Sequence, residues 1–313
     1  VRPINIVVSM DCEPVRPPGR EGPATSGPGS YPDSERYISG FEAIAAEYGF
    51  PVSLFVHPEA ALAHAAQLQE MAARGATLGL HIHPYKFDPI RYRAHFGELS
   101  GPAQRAIVSE GAALWQHAIG ERPRYFRPGT FSANDATFPI LADLGFIGGS
   151  CSCPGRVFPE LYAVWAGAPA DPHRAHAVFR QRPGMLDFAN LPLSVDLSSL
   201  RDGDGNQQLW DLRPDYLSAD YPRIARNIVA QIARRGPAVP MVMIVSHNDN
   251  DYTRPDDRVA QNLRRSLDAV VAASRAAGFE PVGATVAAVC GQVLATPALE
   301  PEWVIGRASI QAG

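Results

Sequence analysis

Two histidines stand two residues apart at the end of an apolar run, in Gly79-Leu80-His81-Ile82-His83-Pro84. Two acids share that spacing at the end of another run, in Met10-Asp11-Cys12-Glu13. Residues i and i+2 of a strand share a face, so His81 and His83 can address one ion, and Asp11 and Glu13 can do likewise. Two imidazoles and a carboxylate leave a coordination position for water, as at a catalytic zinc, and so point to a divalent metal and to hydrolysis. Asp11 follows a mostly apolar strand, where an ionised carboxylate needs a partner. Arg127, in Tyr125-Phe126-Arg127-Pro128-Gly129, and His247, after Met243-Ile244-Val245-Ser246, also sit at or near strand ends. His57, before Pro58, is open between a site role and a structural one. His64, His117, His173 and His176 are assigned to the surface, and Asn248-Asp249-Asn250-Asp251 reads as a solvated loop with a substrate role left open.

The elements that must carry these residues alternate between strand and helix. Strands are expected at Ile4–Asp11, Val52–His57, Thr77–His83, Tyr125–Thr130, Phe146–Ser150, Val239–Ser246 and Phe279–Ala284. Helices are expected at Glu35–Tyr48, Glu59–Arg74, Gln104–Ile119, Asn134–Leu144 with Asn134 as N-cap, Tyr221–Arg235 and Asp257–Ala277. Pro14–Pro32 is a Pro- and Gly-rich loop beside Asp11, Cys151–Gly184 is irregular, Leu186–Leu197 is extended, and Arg201–Asn206 is a polar loop. Such alternation argues for a largely parallel sheet, and seven or eight units close more naturally into a barrel than into an open sheet. In a parallel barrel the C-terminal strand ends meet on one face, where Asp11, His81, His83 and His247 would converge. One barrel, 1–294, is expected to fill the chain, with 295–313 as a C-terminal tail.

Composition excludes several classes. The chain has 313 residues, a formal net charge of -4 and 46% hydrophobic residues. A nucleic-acid binder would carry a basic face. No run of about 18 apolar residues suggests a membrane span. The chain enters a strand without the pattern of a signal peptide, so a cytoplasmic location is expected. Cys12, Cys151, Cys153 and Cys290 lack zinc-knuckle spacing and read as buried thiols. Lys86 is the single lysine, taken as a coding bias.

Four motifs in order resemble the polysaccharide-deacetylase, or NodB-homology, family. They are Asp11-Cys12-Glu13, Gly79-Leu80-His81-Ile82-His83, Phe126-Arg127-Pro128-Gly129 and Val245-Ser246-His247, spanning roughly residues 4 to 284. The resemblance implies an α/β fold, a distorted (β/α)7 barrel, and metal-assisted removal of acetyl groups from the amide nitrogen of a sugar or related small amide. It implies Asp11 as general base, His247 as general acid, Arg127 as the residue that orients Asp11, and the Thr130 N–H as an oxyanion donor. The family usually has adjacent aspartates, the second binding metal. Cys12 stands in that place, so the resemblance makes Glu13 the ligand, with His81 and His83 and a zinc ion. The family also spaces its two histidines four apart. The position four after His81 is Tyr85, so His83 must substitute, and Tyr85 is expected to contact substrate.

Two rivals remain. The family includes metal-independent relatives that open cyclic amides or ureides, and the altered ligands make that the alternative. A catalytically dead carbohydrate-binding barrel is the other, disfavoured by the complete acid–base set. Tyr31, Tyr85, Phe87, Trp165, Trp210 and Tyr252 are candidate sugar platforms.

Overall fold

The computed structural model describes residues 1–16, 26–201, 207–216 and 218–297. Parts of the Pro14–Pro32 loop, of the Arg201–Asn206 loop and of the C-terminal tail therefore lie outside the described residues. The chain runs β1 (Arg2–Cys12), α1 (Tyr31–Glu47), β2 (Val52–Val56), α2 (Pro58–Ala63), α3 (Ala65–Ala73), β3 (Thr77–Ile82), α4 (Pro84–Phe87), α5 (Gly101–Ile119) and β4 (Tyr125–Pro128). It continues with α6 (Thr137–Asp143), β5 (Gly148–Gly149), β6 (Val157–Phe158), β7 (Ala163–Val164), β8 (His173–Arg174), β9 (Ala189–Asn190), β10 (Val195–Arg201) and β11 (Gln208–Asp211). Last come α7 (Tyr221–Arg235), β12 (Met241–His247), α8 (Arg258–Ala276), β13 (Phe279–Gly283) and α9 (Val286–Ala295).

Most strands form one nine-stranded sheet in the order β12-β1-β2-β3-β4-β5-β9-β8, with β13 also on β1. Every pairing in it is parallel except β8 with β9. The sheet curls into the distorted barrel expected. β1 is its axis: β12 lies along Asn5–Asp11, while β13 takes Arg2–Ile6 and β2 takes Val8–Cys12. Residues Ile4 to Cys12 are all buried, as for a strand covered on both faces. Among the described residues no strand pair closes the barrel between β5 and β12. The Met243 N–H donates to Ser194 Oγ, and Leu193 and Leu191 donate to Ser152 and Gly149 carbonyls, so an irregular segment bridges β5 to β12.

Several boundaries differ from expectation. α1 starts at Tyr31 because Ser30 caps it and Pro32 fits a first turn, where no N–H is needed. The helix expected at Glu59–Arg74 is two, broken at His64 (φ −113°, ψ 20°). His64 is buried, 2.9 Å from Ser34 Oγ, and is not a surface residue. Asn134 does not cap α6 directly; its Oδ1 accepts from Ala136 N, and its carbonyl accepts from Thr137 N. The strand expected at Phe146–Ser150 shrinks to two glycines, and Tyr125–Thr130 ends at Pro128. α4 and α9 were not foreseen.

Candidate metal centre and active site

Strand alternation sends Ser9, Asp11 and Glu13 to one side of β1 and Met10 and Cys12 to the other. Cys12 is fully buried in the core, which removes it from the chemistry. Asp11 lies opposite His247 across the β1–β12 ladder, and His81 opposite Arg127 across β3–β4. Backbone register alone thus brings residues from four strands to one end of the sheet.

Glu13 is the hub. Its Oε1 lies 3.3 Å from His81 Nε2 and 2.9 Å from His83 Nε2. The three ligand atoms lie within 4.8 Å of one another, and all three residues are buried. Metal–ligand bonds of about 2.0–2.2 Å place donor atoms about 3 Å or slightly more apart, so the spacing suits one divalent cation. Tautomers support the fit. His81 Nδ1 is 2.9 Å from the Arg127 carbonyl, which can only accept, so Nδ1 carries the proton. In the neutral ring Nε2 then presents a lone pair to the Glu13 carboxylate, an arrangement that needs a proton or a cation between them. His83 Nδ1 lies 2.7 Å from the Tyr85 hydroxyl, an outer contact that fixes its ring. Gly129 is where it must be: a Cβ there would come within 2.2 Å of His83 Nδ1.

One cation is already present. Lys86 Nζ lies 2.9 Å from Glu13 Oε2 and also donates to the Ser26 carbonyl and hydroxyl oxygens. Burial would raise the Glu13 carboxyl, but His83, Lys86 and His81 outweigh it and hold it well below the usual range. Burial pushes His83 down to about 4 despite Glu13. For His81 burial is overcome by Asp11 and Glu13, and the imidazole is raised.

Asp11 sits beside this cluster with a different partner. Arg127, fully buried, gives Nη1 to Asp11 Oδ1 at 2.6 Å and Nη2 to Ser9 Oγ at 3.0 Å, and lies 4.1 Å above the Phe55 ring. Burial would raise Asp11, yet Arg127, His81 and His247 together lower it, so it is a carboxylate at neutral pH. After Arg127 the chain turns sharply: Thr130 and Phe131 hold φ of 57° and 56°, a conformation that costs non-glycine residues about 1–3 kcal/mol each. Arg156 Nη1 on the Thr130 carbonyl and Trp165 Nε1 on the Phe131 carbonyl hold this turn. Asp11, Glu13, His83, Thr130 and His247 line one cavity of about 220 Å³.

The structure therefore gathers all the sequence-derived acids and histidines. Tyr85, expected to meet substrate, does not line the cavity and instead positions His83. None of the six candidate sugar platforms lines it; Trp165 and Tyr252 are buried, and the aromatic wall is Phe131 and Phe158. His57 caps α2 and is buried, with Nε2 unpartnered among the described residues. His173 is half-buried on β8, not on the surface. Around Glu13, sequence reasoning missed Lys86 and Asn248. Lys86 was hidden by the short α4. Asn248 was read as solvated, yet it is buried, accepts from the Glu13 N–H at 2.7 Å and donates to the Glu13 carbonyl at 3.1 Å. Its place directly after the strand-ending His247 was the available signal.

Comparison with known proteins follows the same line. Residues 30–148 match the family described as polysaccharide deacetylase. That segment holds His81, His83 and Arg127; Asp11, Glu13 and His247 lie outside it. No curated protein matches the sequence. A crystal structure assigned as a polysaccharide deacetylase from Mycobacterium smegmatis superposes with a TM-score of 0.59 at 15% identity, covering 96% of this chain and 93% of that one. The Puue allantoinase gives 0.58 at 13% identity, covering 95% and 92%. These likenesses establish the fold. No described helix is long and apolar enough to cross a membrane.

Proposed function

We propose that this chain, similar over residues 30–148 to polysaccharide deacetylases, is a metal-dependent hydrolase that removes an acyl group, acetyl by preference, from the amide nitrogen of a sugar or related small amide. One observation carries the reading: a carboxylate held anionic, a strand-ending histidine and the Glu13 and His83 members of a buried Glu–His–His cluster line a single cavity. Glu13, His81 and His83 would hold the ion, with zinc as the expected metal. Bound there, the metal would lower the pKa of a water and polarise the carbonyl.

The remaining steps belong to the protein. Asp11 accepts a proton from the attacking water as the new C–O bond forms. Arg127 keeps Asp11 anionic and aimed. The Thr130 N–H supports the oxygen of the tetrahedral intermediate. His247 donates to the nitrogen as the C–N bond breaks, because an unprotonated amine leaves poorly. Metal analysis of the purified protein tests the reading: one zinc or similar ion per chain, with hydrolysis of N-acetyl sugars abolished by a chelator and restored by metal.

Lys86 favours a second reading, a metal-independent hydrolase that opens a cyclic amide or ureide. Its ammonium already neutralises Glu13, so the cluster can be stable without a metal. The two readings separate at Lys86→Gln. A metal enzyme keeps its turnover and binds zinc at least as tightly once the competing ammonium is gone. A metal-independent enzyme loses turnover and remains free of metal.

A further inference from the structure

The same cavity also carries two arginines. Arg156 and Arg213 line it together with Gln208, in the same cavity as Asp11, Glu13 and His247. Arg156 is buried, with 5% of its surface exposed, and has no carboxylate partner among the described residues. Its one hydrogen bond to oxygen is from Nη1 to the Thr130 carbonyl, its Nε is buried without a partner, and it lies 5.2 Å from the rings of both Phe131 and Phe158. Arg213 gives Nε and Nη2 to Asp211, at 3.1 Å each, and its Nη1 makes no hydrogen bond among the described residues. The Asp211 and Asp215 carboxylates both act on Arg213, so the guanidinium left without a carboxylate partner among the described residues is that of Arg156. The two acids have their own cations, Asp11 with Arg127 and Glu13 with Lys86. A buried guanidinium without a counter-charge is unfavourable unless an anion joins it. A guanidinium fork also suits a planar carboxylate better than an ammonium does.

We infer that Arg156 and Arg213 form an anion subsite, and that the substrate is a small N-acyl compound bearing a carboxylate near the scissile amide. This rests on the reading of the cavity as an active site and narrows it. The small volume suits one sugar ring or an acylated amino acid. Arg156 ties binding to chemistry, since the arm that would meet the carboxylate also holds the strained Thr130 turn.

Matched probes test this without turnover. N-acetylglycine is compared with neutral N-acetylglycinamide, and N-acetylmuramic acid with N-acetylglucosamine, by calorimetry or ligand-detected NMR on the wild-type protein. The expected result is at least tenfold tighter binding of the carboxylate member of one pair, and the pair that shows it tells an acylated amino acid from an acidic sugar. Arg156→Met and Arg213→Met should each bring that ratio to within about threefold, and in Arg213→Met the neutral probe should bind as before. Arg156→Lys should keep part of it. Equal affinities within both pairs in the wild type overturn the inference, as does a preference that survives both Met variants. If Arg156→Met fails to fold, the wild-type ratios and Arg213→Met still decide. A carboxylate preference with no hydrolysis of any probe would leave the subsite standing and remove the deacetylase reading.

Discussion

Asp11 and Glu13 stand two residues apart on one strand end, both buried, yet their charges are balanced in opposite ways. Asp11 faces Arg127, a cation that does not lose its proton in a protein. Glu13 faces two imidazoles and an ammonium, groups that can titrate or give way to a metal. The first arrangement fixes a base in one ionisation state. The second holds a site whose cation can be exchanged. Position on the strand does not distinguish the two acids; their partners do.

The comparison breaks most completely at Arg127. Arg127→Met leaves the Asp11 charge buried and unpaired, and should cost about 3–5 kcal/mol, read from urea denaturation. Asp11→Asn should lower turnover by about 10²- to 10⁴-fold, the usual worth of a general base, while metal content measured by mass spectrometry stays unchanged. An equal loss of metal would show that the two carboxylates act as one site.

Acid sharpens the contrast. Burial holds His83 neutral down to about 4, whereas the unfolded chain takes up its proton near 6.5. The unfolded state therefore binds the proton first as pH falls, and metal-free protein should lose up to about 3 kcal/mol between pH 6.5 and 4. His83→Gln should remove that share and leave the part due to His57, which burial lowers to about 3. His81 is raised, so its contribution is complete below 6.5 and is lost only as pH rises through its raised value. Asp11 and Glu13 are lowered, so each stabilises above its ordinary value, near 3.8 and 4.5, and adds its loss below it. The smallest effect is expected at Tyr85→Phe. Losing one hydrogen bond to His83 should weaken zinc binding several-fold, on the order of 1 kcal/mol, without shifting the turnover of the metal-saturated enzyme.

Much of this was legible in the chain. Strand ends marked by Asp11, His81, Arg127 and His247 were readable because each polar residue follows an apolar run that only a buried strand explains. The i, i+2 spacing of His81 and His83 assigned them to one face for the same reason. The helix break at His64 was not readable, because the partner that His64 meets there, Ser34, lies 30 residues away. Lys86 looked like chance composition until α4 folded it back onto Glu13, and Asn248 looked solvated until β12 laid it against β1.

The sequence by itself determined which residues are polar at the ends of buried strands, and hence the fold class and the candidate chemistry, since period and burial are local properties of the chain. Tertiary structure alone decided which charge each acid meets. Coulomb energy depends on distances of a few ångströms between residues such as Glu13 and Lys86, or Asp11 and Arg127, that lie far apart in the chain, and those distances exist only once the sheet has curled.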